Sequence, residues 1–455
     1  MTLVSDLTAR RLQAALARVQ RDGQVPSVAV ALTREGSLAW RGSHGDATGE
    51  PGVRPVDLQY RIGSITKTMT AVLVMQARDE GLVDLRSPVG EVLPEVDLPG
   101  VTLRHLLAHS SGLGAEPAGE WWERTAGGSF ADLVAGLASA GTVLPAGRTH
   151  HYSNLGYGLL GEVVARLRGA SWWEALSTRV LEPLGMLRTT YDPFPPHAQG
   201  WSVDPWAGTL SPEPATDTGA MAPAGQVWST VLDLATYADF LLVGHRDVLS
   251  LRTLEEMSTP QAGTYADGAG DTYGLGLRLV SGGSGTLVGH TGSMPGFQAS
   301  LFVDRPRGTG AVALANSTTG LGTDTVTGSL LDLLEEVEPA VVAPWHPVDD
   351  VPPAVAEVLG VWHWGNTPRV LRWDGRVVTM TGLDLDPHGA DVFALDGGVL
   401  VGVAGYHDGE LLTAVRRDDG SVSHLLVSTF VLTRTPYDPS APIPGGVTGP
   451  VTGPG

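Results

Sequence analysis

Residues 60–81 constrain this chain more than any other stretch. They read Tyr60-Arg-Ile-Gly-Ser64-Ile-Thr-Lys67-Thr-Met-Thr and run on to Gly81. Between Ser64 and Asp79 there is neither Gly nor Pro. Ile65, Met69, Val72, Leu73 and Gln76 recur at helical spacing, while Val74 and Met75 place apolar side chains on other faces. A helix that is apolar nearly all round has to be buried, so the spacing predicts a central helix with the rest of a domain packed about it. Gly63 precedes it and Gly81 follows, where a helix commonly stops.

Ser64 and Lys67 fall at i and i+3 of the first turn of that helix and share a face, about 5–6 Å apart at Cβ. A serine hydroxyl is a poor nucleophile until a neighbouring base takes its proton. A lysine amine can be that base when burial lowers its pKa. The unpaired N–H groups and partial positive charge of a helix N-terminus suit a developing oxyanion. Ser-x-x-Lys arises by chance in many chains, but here Lys67 is the sole lysine among 29 basic residues. Arginine cannot give up its proton in a protein, so the surviving lysine marks a position that needs a removable one.

Composition narrows the rest. At 455 residues two domains are expected. A formal net charge of −20 argues against nucleic acid and anionic membrane surfaces as partners, and simple solubility accounts for it equally well. The absence of cysteine excludes disulfides, thiolate nucleophiles and cysteine-held metal clusters. No cofactor or metal site is expected. No apolar run suits a signal peptide or a membrane span, which points to a cytoplasmic product.

Along the chain, residues 5–21 read as an amphipathic helix, and Ser27–Thr33 with Ser37–Arg41 as a β-hairpin turning at Arg34-Glu35-Gly36. From about 84 to 260 the signals are mostly helical: Val101–His109, Phe130–Ala138, Leu155–Leu167, Trp172–Leu181 and Leu232–Leu242. The doubled tryptophans Trp121-Trp122 and Trp172-Trp173 suit interhelix packing better than a pocket wall. Strand signals return at Tyr273–Val280, Thr286–His290, Phe297–Asp304 and Ala311–Ala315, with a helix at about 321–337. Strands at both ends and helices between them imply one antiparallel sheet with a helical insertion, an α/β fold. Five prolines between Pro339 and Pro353 read as a linker. Short alternating segments follow: Val370–Trp373, Val377–Met380, Val399–Val403, Leu411–Val415 and His424–Leu432. They make a small all-β domain, sandwich or barrel. The expected organisation is therefore 1–338, a linker at 339–353, a β domain at 354–435, and a disordered tail at 436–455.

Two further stretches would complete a site around Ser64. Tyr152-Ser153-Asn154 precedes a helix. Its phenol could pass a proton between the attacking hydroxyl and the leaving group, and its amide could hold a substrate amide. His290-Thr291-Gly292-Ser293 closes one predicted strand and opens a turn. Glycine there lets substrate lie along the strand edge, and the next N–H can aim at an oxyanion. Either stretch alone reads as ordinary core or helix cap.

Together the three stretches resemble, in order and spacing, the motifs of the serine β-lactamase and penicillin-binding superfamily. Tyr152-x-Asn154 is similar to its class C branch, which holds class C β-lactamases, D-alanyl-D-alanine carboxypeptidases, D-aminopeptidases and family VIII esterases. Tyr60–Ser64, Leu106–Leu113, Gly225–Thr230 with Asp233-Leu234, and Gly289–Phe297 carry the same resemblance, which covers roughly residues 7–335. It implies a sheet-and-helix domain beside a helical one, with Ser64 as the acylated nucleophile and Lys67 with Tyr152 as its base pair. It also implies that Asn154, His290 and Gly292 contact substrate, that the N–H groups of Ser64 and Ser293 form the oxyanion hole, and that His109 braces structure.

His290 stands where class C β-lactamases have lysine. Histidine is mostly neutral at pH 7, which argues against β-lactam hydrolysis. The reading is a serine hydrolase acting on a small ester, amide or D-peptide. The alternatives are a β-lactamase and a non-catalytic relative that senses β-lactams or peptides.

Overall fold

The computed structural model describes residues 4–46, 54–263, 271–283, 285–341, 344–386, 389–438 and 441. The chain divides into two compact units, Met1–Val341 and Val342–Gly455, and the division falls within the proline-rich stretch. Most of the tail expected to be disordered lies outside the described residues.

The first unit is built on an eight-stranded antiparallel sheet. Helix α1 (Asp6–Asp22) opens it, capped by Ser5, whose hydroxyl accepts from the Thr8 N–H. Strands β1 (Ser27–Arg34) and β2 (Ser37–Gly45) form the expected hairpin. The remaining strands come from the far end of the unit: β3 (Ala262–Gly263), β4 (Asp271–Tyr273), β5 (Arg278–Gly282), β6 (Gly285–Met294), β7 (Phe297–Asp304) and β8 (Thr309–Ala315). Their order is β2-β1-β8-β7-β6-β5-β4-β3, so sequence-distant ends meet at the β1–β8 pair.

Burial on both faces explains why β1 reads as one apolar run. Ala29 and Ala31 point into the larger core, and Val28, Val30 and Leu32 into the smaller one. The smaller core is closed by Leu12 and Leu16 of α1 and by Leu330, Leu331 and Leu334 of a helix at Val326–Val337. Each such buried leucine contributes about 1.5–3 kcal/mol relative to exposure.

The larger core surrounds helix α2 (Ile65–Asp79), in which every residue from Ile65 to Ala77 is buried. Its polar groups all find partners. Thr68 Oγ1 bonds Tyr237 Oη at 3.0 Å, Thr70 Oγ1 donates to Pro223 O at 2.9 Å, and Gln76 Nε2 donates to Val248 O at 2.8 Å. Helices α3 (Leu103–Leu107), α4 (Phe130–Ala140), α5 (Asn154–Arg168) and α6 (Val231–Val243) fill the region between the two halves of the sheet's sequence. Trp172 is buried, with Nε1 donating to Thr70 Oγ1 at 3.1 Å.

Two expectations about this unit need correction, and one hairpin was not anticipated. The single strand at Tyr273–Val280 is broken, because Gly274–Leu277 turns back on itself through the Gly274 N–H to Leu277 O bond. Gly276 sits there at φ +83°, and a Cβ on it would lie 2.1 Å from the Ala71 Cβ of α2. The strand expected to end at His290 continues to Met294, so His290 through Ser293 lie within β6 rather than in a turn. The hairpin Trp201–Asp204 with Thr209–Pro212 gave no strand signal, its second strand being exposed throughout.

The second unit is a closed eight-stranded barrel: β9 (Gly360–Trp364), β10 (Thr367–Trp373), β11 (Val377–Thr381), β12 (Asp391–Asp396), β13 (Val399–Ala404), β14 (Leu411–Arg416), β15 (Val422–Val427) and β16 (Phe430–Thr433). Each strand pairs with the next, and Trp364 opposite Leu432 closes the ring. Trp362 and Phe393 fill its interior. The segment His424–Leu432 is two strands, split where Ser428 adopts φ +53°. Among the described residues no helix is long and apolar enough to cross a membrane.

Candidate active site

Ser64 occupies the N-cap of α2, where a serine side chain would normally accept a backbone N–H. It makes no such bond. Its hydroxyl instead receives Lys67 Nζ at 2.9 Å, and the same Nζ donates to Ala224 O at 2.7 Å. Lys67 is fully buried, and its amine is lowered to about 7. Desolvation is the main cause, opposed by the negative charges of Glu116 and Glu123.

Tyr152 lies half-buried in the same cavity as Ser64, with its ring 5.1 Å from Lys67 Nζ. Burial raises the phenol, and the proximity of Ser64 works against that rise. The ring of His109 packs on Tyr152 at 4.0 Å between centroids, and its Nδ1 accepts the Ser153 N–H at 3.0 Å. The His109 ring is buried and held well below its usual pKa, chiefly by desolvation and then by Lys67.

Asn154 opens α5, capped by Ser153. Its Nδ2 donates to both carboxylate oxygens of Glu116, at 2.8 and 3.0 Å, and Trp122 Nε1 donates to the same carboxylate at 2.7 Å. A carboxylate only accepts, so these bonds fix which end of the amide faces Glu116.

Strand β6 closes against the start of α2. A Cβ on Gly292 would lie 2.0 Å from Ile62 O and 3.2 Å from Ser64 N, and one on Gly63 would lie 2.6 Å from Ser293 N. Only glycine at both positions lets the Ser64 and Ser293 backbones approach so closely. His290 is buried, its Nε2 3.0 Å from Tyr273 Oη and its Nδ1 beside Thr291 O. Burial, then Lys67, pushes it down to about 3, so it is neutral near pH 7.

A cavity of about 410 Å³ joins these groups, lined by Ser64, Tyr152, Tyr273, Arg278, His290 and Thr291 among others. It also touches Gly292 and Ser293; Lys67 and Asn154 are not among its lining residues, and none of the doubled tryptophans reaches it. Sequence reasoning missed Arg278, Glu116, Tyr273 and the Ala224 carbonyl. Arg278 comes from the neighbouring strand β5, in register with Gly289, and places Nη1 3.0 Å from Thr291 Oγ1 and 2.7 Å from Asp324 Oδ1. Nothing local in the sequence signals any of these, because each reaches the site through pairing or packing with a distant element.

Known proteins supply the context. Residues 351–434 match a domain of unknown function, DUF7586. Penicillin-binding protein 4 of Amycolatopsis lactamdurans is 29% identical over 370 residues, covering 76% of this chain and 94% of that protein. Esterase EstB of Burkholderia gladioli is 33% identical over 198 residues, 39% of this chain and 50% of its own length. Beta-lactamase-like protein 2 of Dictyostelium discoideum is 27% identical over 259 residues, 53% of this chain and 46% of its own length. The chain thus spans about half the length of these last two relatives. The D-amino acid amidase from Ochrobactrum anthropi SV3, solved with L-phenylalanine amide, superposes with a TM-score of 0.64 at 26% identity, over 73% of this chain and 99% of that one. Residues 9–334, well over half of the chain, match the beta-lactamase family, and the protein belongs to that family of serine hydrolases and penicillin-binding proteins.

Proposed function

We propose that the protein hydrolyses a small amide or ester through an acyl-enzyme on Ser64. The observation that carries this reading is the 2.9 Å contact between Ser64 Oγ and a buried Lys67 whose amine titrates about neutrality. As the free amine, Nζ keeps donors for Ala224 O and offers its lone pair to the serine proton. Tyr152, in the same cavity as Ser64, relays that proton. Ser64 Oγ attacks the substrate carbonyl carbon, and the oxyanion meets the N–H groups of Ser64 and Ser293. Collapse expels the amine or alcohol, which leaves with the proton carried by the Lys67–Tyr152 pair. Water then repeats the attack on the ester and releases the acid. Asn154, oriented by Glu116, holds the acyl portion.

Arg278 bears on the substrate. His290 supplies no positive charge near pH 7, but the guanidinium beside Thr291 does, so substrates carrying a carboxylate fit the site as well as neutral esters. D-peptides ending in a free carboxylate and small esters are the leading substrates on this reading, with β-lactams as the second. Incubation with a fluorophosphonate probe should label Ser64, located by mass spectrometry, and Ser64→Ala should abolish the label. A labelled protein that then turns over a panel of D-peptides and esters supports an enzyme, and an unlabelled native protein sinks the reading.

A further inference from the structure

One corner of the Ser64 cavity is built from three separate segments. Arg278 comes from β5, Thr291 from β6, and Thr323 from the turn ahead of the Val326–Val337 helix, where the next residue, Asp324, pairs with Arg278 without lining the cavity itself. That turn is tied down, since Ser300 Oγ on β7 donates to Thr323 O at 2.7 Å and sits 3.0 Å from Thr327 Oγ1. Thr291 Oγ1 and the Asp324 carboxylate therefore meet the same Nη1 of Arg278, at 3.0 and 2.7 Å.

The two partners differ in exposure. The Arg278 side chain is 18% exposed and that of Asp324 68%. A guanidinium fork matches a carboxylate in shape and charge. An ion pair with one partner so exposed holds weakly, which makes it easy to exchange. The Arg278 charge also acts on the reacting end of the cavity. It opposes the burial that raises the Tyr152 phenol and adds to the burial that lowers His290.

We propose that Asp324 is the chain's own stand-in for a substrate carboxylate. It holds Arg278 until a substrate with a free carboxylate displaces it, and this exchange sets how strongly the site prefers carboxylate-terminated substrates over neutral ones. The inference deepens the reading above, because it takes the cavity over Ser64 as the substrate site. Seating a carboxylate against Arg278 and the Thr291 hydroxyl leaves Asp324 to solvent, which its exposure already allows. Selection then reflects a competition within the protein.

Calorimetric titration of the full chain tests this in a Ser64→Ala background, which prevents turnover. The probes are N-acetyl-D-alanine and its neutral counterpart N-acetyl-D-alaninamide. The acid should bind more tightly than the amide. Asp324→Asn should lower the Kd of the acid by up to about fivefold, the size an exposed ion pair carries, and leave that of the amide in place. Arg278→Gln should raise the Kd of the acid about ten- to hundredfold and bring the two probes together. Should that variant fold poorly, Arg278→Lys keeps the charge without the fork and should retain part of the preference. The idea is overturned if the acid binds no better than the amide, if neither binds, or if Asp324→Asn leaves the affinity for the acid unchanged. Because this readout needs no catalysis, a protein that prefers the acid yet never labels at Ser64 loses the hydrolase reading and keeps this one.

Discussion

The two ends of the Ser64 cavity are built in opposite ways. At one end Ser64 and Lys67 lie three residues apart in a single turn of a buried helix, their contact set by helical geometry. At the other, Arg278 meets Thr291 thirteen residues away and Asp324 forty-six residues away, across three elements at a partly exposed edge. Burial removes charge at the first end, bringing Lys67 to about 7. Arginine keeps its charge at the second. The lesson is a division of labour. On the proposed mechanism, proton transfer falls where local covalent spacing makes the geometry rigid, and substrate selection falls where tertiary contacts leave an exchangeable ion pair.

The sharpest way to break this comparison is at the rigid end. Lys67→Arg retains charge but cannot give up a proton, and Lys67→Met removes both. If proton transfer is the role, both variants should fold by circular dichroism and acylate at least ~10²-fold more slowly than wild type, read with a chromogenic ester. A folded Lys67→Arg protein that acylates at a near-native rate would make Lys67 a charge and nothing more.

The pH profile comes next in size. Lys67 is protonated below about 7 and neutral above it, and the proposed mechanism uses the neutral amine as the base. The acylation rate should therefore rise with pH through about 7 and then level off. His290, at about 3, adds no limb near neutrality. A rate that falls through pH 7 would assign the work to the ammonium form.

Glu116→Gln sharpens the same point with a smaller effect. Glu116 raises the Lys67 pKa and holds Asn154. Removing its charge should move the rising limb to lower pH, and a loosened Asn154 should raise KM roughly two- to tenfold. A change in KM with an unmoved limb would mean that Glu116 only positions Asn154.

The smallest effect is expected from removing the barrel. Residues 1–340 should fold and label at Ser64 alone, since both cores of the first unit are built without barrel residues. Loss of soluble protein on that truncation would show the two units to be one folding entity.

Helix α2 was legible because thirteen consecutive buried positions leave an unmistakable pattern, and β1 and β7 because each is a short, almost wholly buried stretch carrying strand formers. The break at Gly274–Leu277 was not, because the close approach of Gly276 to Ala71 depends on a helix two hundred residues earlier. Nor was the extension of β6 through Ser293. Its hydrogen bonds come from β7, opposite Gln298, and its glycine is required by Ile62 and Ser64 rather than by a turn. In the barrel, β9 and β12 escaped notice because their exposed and half-exposed residues blur the alternation on which a strand signal depends.

By itself the sequence determined the helix that must be buried, the one removable proton on it, and the serine beside that proton. Those depend only on helical spacing and on the chemistry of lysine against arginine. Tertiary structure decided everything that needed two distant segments at once. It freed the Ser64 hydroxyl from capping, lowered the Lys67 amine by complete burial, turned His290 inward onto Tyr273, and brought Arg278, paired with Asp324, into the wall of the Ser64 cavity. The physical reason is one of range. Spacing along a helix is set by covalent geometry, whereas desolvation and ion pairing are properties of whatever the folded chain happens to place around a group.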